Sequence, residues 1–517
     1  MSYRIGIDVG GTNTDAVLLD EQLQVVHEVK SPTTADVSSG IYEALRRVVT
    51  ESGVNPQHVR YAMLGTTHCT NAIVERKRLN RVGTIRIGKP ATTAVRPMMG
   101  WPEDLRAAVG ENWHMVSGGY EYDGRTIVPL DEEEIRSACR SMKGDVETIA
   151  ISGVFSPANA DQEKRVAHIV REELGESISI SVSHEIGSIG LLERENATIL
   201  NAALIQTAKM VAEGFREALG KNGIEHAGIF FGQNDGTLMS LVYAIRYPIL
   251  TIACGPTNSI RGAAHLSGRK DGLVVDVGGT TTDIGVLING FPRQSSLAVD
   301  IGGIRTNFRM PDILSVAIGG GTIVRRSGEE IKLGPDSVGY QLRNRALIVG
   351  GDTMTATDVA VVMGRLDWPG AKVAGIDRAF CQQVDAQLVA AVEDAIDRMK
   401  TSPTPVPVIL VGGGSVLLPD QMKGVSEVIR PKHFGAANAI GAALGQVSGQ
   451  IEKIYALDEQ TREAALADAK AGAIREAIAA GADPQSLEIV HMEDIPLAYL
   501  PGNALLIRVK AAGLLQA

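Results

Sequence analysis

"RIGIDVGGTNTDAVLLD", residues 4–20, runs from an apolar strand ending at Asp8 through Gly10 and Gly11 to Asp15, where a second apolar strand begins. Such a hairpin is either a plain Gly-Gly turn or a phosphate loop. Glycines let the backbone approach a ligand closely, successive amides form an anion-binding concavity, and a strand-end carboxylate can hold Mg²⁺ through water. A second copy tips the balance. Residues 273–289, "LVVDVGGTTTDIGVLIN", repeat "DVGGT.TD" at seven of eight positions, 268 residues downstream and in the same strand–turn–strand frame. That separation is too long for a solenoid and suits a duplicated domain. A third turn, "VPVILVGGGSVLLP" at 406–419, is a buried strand running into three glycines. No GxxxxGK[ST] is present and neither hairpin fits GxGxxG, so P-loop and Rossmann readings are weak.

The totals fit a large α/β protein. The chain has 517 residues, 44% apolar and only 4% aromatic, with 57 glycines for tight strand-to-helix turns. A net charge of −10 gives no general attraction to nucleic acid or anionic membranes. Cys69, Cys139, Cys254 and Cys381 are scattered without zinc or CxxC spacing, as in a reduced cytoplasmic protein. The N-terminus lacks a secretory pattern, and no run of about 20 apolar residues exists. The expectation is a cytoplasmic protein with no nucleic-acid and no membrane partner. Helical spacing marks 36–53, 191–223 and 377–401, and a small-residue helix follows His433. The tail pairs a charged Ala-rich helix, about 458–480, with two strands joined at "PGN".

The paired hairpins and "VILVGGGS" resemble the ATPase superfamily of sugar kinases, Hsp70 and actin. Within it the chain resembles the hydantoinase A/oxoprolinase family. The matching stretches include "GTTHCTNAIVERK", "LLERENATILNAAL", "CGPTNSIRGAA", "AIGGGT", "GPDSVG" and "TATDVAVVMGRL", in the family's order over about 1–370. The resemblance implies an α/β fold of two RNase-H-like (actin/Hsp70/sugar-kinase-type) domains around an ATP cleft, with an inserted α/β region and a small C-terminal α+β unit. The implied boundaries are 1–80 for the first half of the N-terminal domain and 81–190 for the insertion. Residues 191–270 supply a linking helix and the remaining strands, 271–449 the second domain, and 450–517 the tail.

The family uses ATP and Mg²⁺ to phosphorylate the carbonyl oxygen of a cyclic amide such as a hydantoin, 5-oxoproline or a lactam. A B-type hydrolase subunit often shares the reaction, which implies a homo- or hetero-oligomer. Three rivals stand beside this reading: a small-molecule or sugar kinase, an acetone-carboxylase-type subunit, and a non-catalytic nucleotide-dependent regulator.

Candidate residues follow from hairpins and resemblance together. Asp8 and Asp276 are the metal and catalytic candidates, joined by Glu193 and His68. Nucleotide contacts are assigned to Gly10, Gly11, Thr12, Asn13, Thr14 and Asp15, and to Gly278, Gly279, Thr280, Thr281, Thr282 and Asp283. Gly319, Gly320, Gly412, Gly413, Gly414 and Asn438 complete that set. Thr66, Thr67 and Asn71, with Thr257 and Asn258 on a donor-rich loop, are the substrate candidates. A lone histidine is more often merely solvated or satisfied, and a strand-end aspartate can simply cap a turn. The chain departs from the family at the substrate candidates: "ATTxATNALLE" becomes "GTTHCTNAIVE", "SGPAGG" becomes "CGPTNS", and a family histidine is missing near Leu314 and Ser315.

Overall fold

The computed structural model describes residues 2–10, 13–32, 37–295, 299–308, 310–328, 330–458, 460–498, 500 and 502–516. Gly11 and Thr12 of the first hairpin lie outside the described residues.

The N-terminal strands form a sheet in which Tyr3–Val9, Asn13–Leu19 and Val25–Pro32 are antiparallel neighbours. Val59–Thr66 lies parallel on the other side of Tyr3–Val9, and Gly228–Gly232 follows it. This is the strand order of an RNase-H-like domain. Alternation along Asn13–Leu19 explains why both faces are covered. Ala16 and Leu18 pack with Leu45, Val48, Phe215 and Leu219 of the helices Val37–Ser52 and Leu191–Lys221. Val17 and Leu19 face Ala439, Ile440 and Ala443 of the helix Ala437–Ala443.

The second sheet repeats the plan. Gly272–Val277 pairs antiparallel with Thr282–Ile288 and parallel with Val406–Val411, which in turn pairs with Val425–Ile429. Ile313–Val316 occupies the place that Val25–Pro32 takes in the first domain. The insertion is a four-stranded all-parallel sheet: Asn112–Ser117, Val82–Lys89, Thr148–Gly153 and Ser179–Val182. Two helices, Cys254–Ser267 and Ala437–Ala443, cross between the two domains. Ile260 and Ala263 pack on Val274, Ile409 and Val411 of the second sheet.

The C-terminal α+β segment is not free-standing. Gln446–Ala456, Ala504–Leu514 and Glu488–Pro496 extend the first sheet to nine strands through Leu238–Ser240. Its helix, Arg462–Ala479, is only partly a solvated face, because Ala465, Ala469, Ala473 and Ala477 are buried in the first core. A buried knot fixes the join. Asp235 accepts from Ser448 Oγ at 2.7 Å and pairs with Lys510 Nζ at 2.7 Å. Burial alone would raise the Asp235 pKa, yet Lys510 and the hydroxyls of Thr237 and Ser448 bring it down to about 2. The folded value lies below the unfolded 3.8, so this contribution is present above pH 3.8 and fades as pH falls towards 2. Asp235→Asn, which strands the Lys510 ammonium, is expected to cost about 2–4 kcal/mol in urea unfolding at neutral pH. The gap from the wild type should narrow between pH 4 and 2.

Candidate functional site

Strand register builds the site. On the first sheet Lys30, Asp15, Asp8 and Gly65 stand side by side on four neighbouring strands. On the second, Ser315, Asp283, Asp276 and Val411 form the equivalent row. The hairpin turns also close alike: Gly10 N donates to Asn13 O at 3.0 Å and Gly278 N to Thr281 O at 2.8 Å. The sequence repeat is therefore a geometric repeat.

The crossing helices hold these rows from opposite sides. Asn438, on the helix that follows the second sheet, donates Nδ2 to Asp8 Oδ2 at 2.9 Å and to Asp15 Oδ2 at 3.3 Å. Ser259, on the helix that precedes that sheet, donates Oγ to Asp276 Oδ2 at 2.5 Å. Each helix thus grips the aspartate of the other domain. Lys30 Nζ pairs with Asp15 Oδ1 at 2.5 Å, and Ser315 Oγ donates to Asp283.

Four carboxylates share this space, Asp8 and Asp15 buried and Asp276 and Asp283 half-buried. Burial lifts Asp8 to about 7, with the negative charges of Asp15 and Asp276 adding to the rise. Burial raises Asp283 to about 6 and also raises Asp276 and Asp15, although Ser259 and Lys30 respectively oppose it. Among the described residues Lys30 is the one cation paired within the rows, so negative charge is in excess and a bound cation would relieve it. Among the described residues no group of three or more His, Cys, Asp or Glu is arranged to hold a metal alone. That donor set fits Mg²⁺, which is usually held by one or two carboxylates together with water and phosphate oxygens.

The glycine turns divide into two roles. Gly412 has φ +83°, and a Cβ there would lie 2.1 Å from Asp276 Oδ1, so only glycine passes beneath that carboxylate. Gly413 has open space around its Cα, whereas Gly414 N donates to Val277 O at 2.7 Å. Gly319 and Gly320 brace the second hairpin from behind. Gly319 N donates to Thr322 Oγ1, while Gly320 N and Gly321 N donate to Gly278 O and Gly279 O.

The substrate candidates lie on two adjoining elements, since Cys254 Sγ donates to Thr66 O at 3.4 Å. Thr66 and Thr67 follow Gly65 directly, and Thr67 Oγ1 donates to Val9 O at 3.4 Å, so this turn borders the first aspartate row. Asn71 donates to Thr67 Oγ1 from within the helix His68–Glu75. His68 shares a hydrogen bond with Thr66 Oγ1. Burial, aided by Arg78, lowers its pKa to about 4, so it is uncharged at neutral pH. It lines a small apolar pocket with Cys69, Ala212, Phe231, Ala244 and Thr251. Thr257 and Asn258 are not on a loop. They lie in the first turns of Cys254–Ser267, fully buried, and Thr257 Oγ1 donates back to Cys254 O. Pro256 misleads here, since a proline in a first turn lacks only an N–H that the helix does not use.

Glu193 forms its ion pair with Arg305 at 4.0 Å, and among the described residues no hydrogen bond or ion pair joins it to either aspartate row. Its neighbours are structural. Arg194, fully buried, donates to Ser183 Oγ, Ser188 O, Ile189 O and Gly153 O, and Asn201 to Ser181 Oγ and Arg246 O. These bonds cement the insertion to the long helix. Lys30 and Ser259 were missed from sequence. The signal for Lys30 is its hairpin register opposite Asp15. For the helices it is a short repeat, "NSIRGAA" at 258–264 against "NAIGAA" at 438–443.

Two RNase-H-like sheets with mirrored aspartate rows and a pair of crossing helices define a protein of the actin, Hsp70 and sugar-kinase architecture. More narrowly, the chain belongs to the hydantoinase/oxoprolinase family, whose N-terminal-region model matches residues 4–174 and whose main model matches 194–369. It is 28% identical over 400 residues to the acetophenone carboxylase gamma subunit of Aromatoleum aromaticum, covering 70% of this chain and 53% of that one. The caprolactamase subunit alpha of Pseudomonas jessenii is 28% identical over 393 residues, with 70% and 55% covered. The chain thus spans about half the length of these curated relatives. The crystal structure of the ATP-dependent caprolactamase from P. jessenii superposes with a TM-score of 0.79 at 19% identity, over 100% of this chain and 88% of that one. Nucleotide-free acetone carboxylase gives 0.68 at 19%, with the same coverage. At that identity the likeness speaks for the fold. Among the described residues no helix is long and apolar enough to cross a membrane.

Proposed function

We propose that this chain is the ATP-hydrolysing component of a cyclic-amide hydrolase, which phosphorylates the amide carbonyl oxygen and so opens the carbon to water. The two facing aspartate rows carry the reading, because they supply matched, carboxylate-lined hairpins for one nucleotide. Resonance protects an amide carbonyl. Transfer of the γ-phosphoryl group to its oxygen, with ADP leaving, removes that protection; water then adds at carbon, the C–N bond breaks with the nitrogen taking up a proton, and a second water cleaves the resulting acyl phosphate to carboxylate and phosphate.

Phosphoryl transfer asks a protein mainly for positioning and charge control. Asp8 and Asp276 would hold Mg²⁺, through water where needed. When bound, the ion neutralises phosphate charge. Asn438 and Ser259 hold those carboxylates across the domain boundary, so the orientation of each row depends on the other domain. Lys30 pairs with Asp15 beside them and opposes the rise that burial imposes on it. A B-type partner subunit fits relatives that are themselves named as subunits.

Activation of a ketone for carboxylation uses the same phosphorylation of a carbonyl oxygen, and equal identity to the carboxylase and caprolactamase relatives favours neither. The test is ATP turnover on a panel of hydantoin, 5-oxoproline, caprolactam and small ketones, with and without bicarbonate. Stimulation by a cyclic amide without bicarbonate is the expected result. Bicarbonate-dependent stimulation by a ketone would replace it with the carboxylase reading. MgATP binding without turnover on any compound would favour a regulatory subunit.

A further inference from the structure

We propose that Asn258 is a positioning residue for Asp8, and that position 65 is glycine because a side chain there would hold the two apart. The inference rests on the ATP reading above. Asp8 and Gly65 are direct neighbours on parallel strands. A Cβ at position 65 would lie 2.5 Å from Asp8 Oδ1 and 2.6 Å from Asn258 Nδ2, so both polar atoms crowd one vacant point. On the following strand a Cβ at Gly232 would lie 3.2 Å from Asn258 Nδ2 and 3.4 Å from its Oδ1. The amide therefore lies in a slot between two side-chain-free positions on adjacent strands.

Asn258 is 1% exposed, and among the described residues its Nδ2 has no hydrogen-bond partner of ordinary geometry, although it lies near enough to Asp8 to lower that carboxyl's pKa. A buried donor left in that state is costly, so it needs an acceptor. Asp8 Oδ1 is beside it, while Asp8 Oδ2 already accepts from Asn438. One asparagine from each crossing helix thus addresses one oxygen of the same carboxylate. The family patterns "ATTxATNALLE" and "SGPAGG" place Ala and Gly where this chain has Gly65 and Asn258. The exchange fills the same slot from the other side.

Three variants of the full chain test the idea: Asn258→Ala, Gly65→Ala and Gly65→Ala/Asn258→Gly. Each is measured by thermal melting, by MgATP titration and by steady-state ATP turnover with the activating substrate. Each single variant is expected to lose about 10- to 100-fold in kcat with KM for ATP within about 2-fold, the scale of a misplaced reacting group. The double variant should lose no more than Asn258→Ala alone, since the methyl then occupies the vacated slot while no amide reaches Asp8. Unchanged kcat in Asn258→Ala would overturn the inference. So would losses that multiply in the double variant, or losses that follow melting temperature alone. A wild-type chain that fails to bind MgATP would overturn the ATP reading and this one with it; wild-type binding with Asn258→Ala unaffected would overturn this one only.

Discussion

Asp276→Asn is expected to lower ATP turnover by about 10²- to 10³-fold while raising the stability of the ligand-free protein. Both effects follow from one fact. Asp276 is half-buried, desolvation holds its pKa above 3.8, and among the described residues Ser259 and the field of Lys30 favour its charged form. A carboxylate whose folded pKa is raised contributes stability below 3.8 and loses it as pH climbs through the folded value. At neutral pH the wild type therefore carries a penalty that asparagine removes, and Asn Oδ1 still accepts from Ser259 Oγ. What asparagine cannot do is attract a cation. Melting curves should show the ligand-free variant above the wild type, with a smaller upward shift on adding MgATP. A coupled ADP-release assay should show the lost turnover. Asp8→Asn is expected to behave alike, because burial and its carboxylate neighbours raise it too. Wild-type turnover in Asp276→Asn would end the proposal that this row handles the nucleotide.

The hairpins were legible because their pattern is packed into eight contiguous residues. Once "DVGGT.TD" recurs, strand pairing forces Asp8 against Asp15 and Asp276 against Asp283. Contacts set by long-range packing were not legible in this way. Ser259 reaches Asp276 only because two helices, far apart in sequence, cross between the sheets. The C-terminal strands carry ordinary hairpin signals, yet nothing local says that Val447 will lie beside Leu238 and extend the first sheet. Glu193 illustrates the opposite case. Its motif is real, but the neighbours Arg194, Glu195 and Asn201 turn inward to bind the insertion, and Glu193 itself turns towards Arg305. Nor can a sequence show that the amides of Gly319 and Gly320 are already taken by protein acceptors.

The helix crossing should be as sensitive as the aspartates themselves. A Cβ at Gly441 would lie 1.8 Å from Asn258 O, and one at Gly262 would lie 1.9 Å from Ala437 O. Both obstacles are backbone, so no side chain can swing aside and the helices must separate by on the order of 1 Å. Overpacking of that kind costs about 1–3 kcal/mol. The larger consequence is functional, because the same separation draws Asn438 from Asp8 and Ser259 from Asp276. Displacement of about 1 Å at positioning groups is worth roughly 10²-fold in rate. Gly441→Ala is therefore expected to lose about 10²-fold in ATP turnover per folded molecule. If the helices act through the aspartates, Gly441→Ala should add little to Asp276→Asn in the double variant, since the two changes share one pathway of loss. Fully multiplicative losses would instead mean that the crossing affects turnover by a route independent of Asp276. A Gly441→Ala protein that melts lower but turns over ATP at the wild-type rate would reduce the crossing to packing alone.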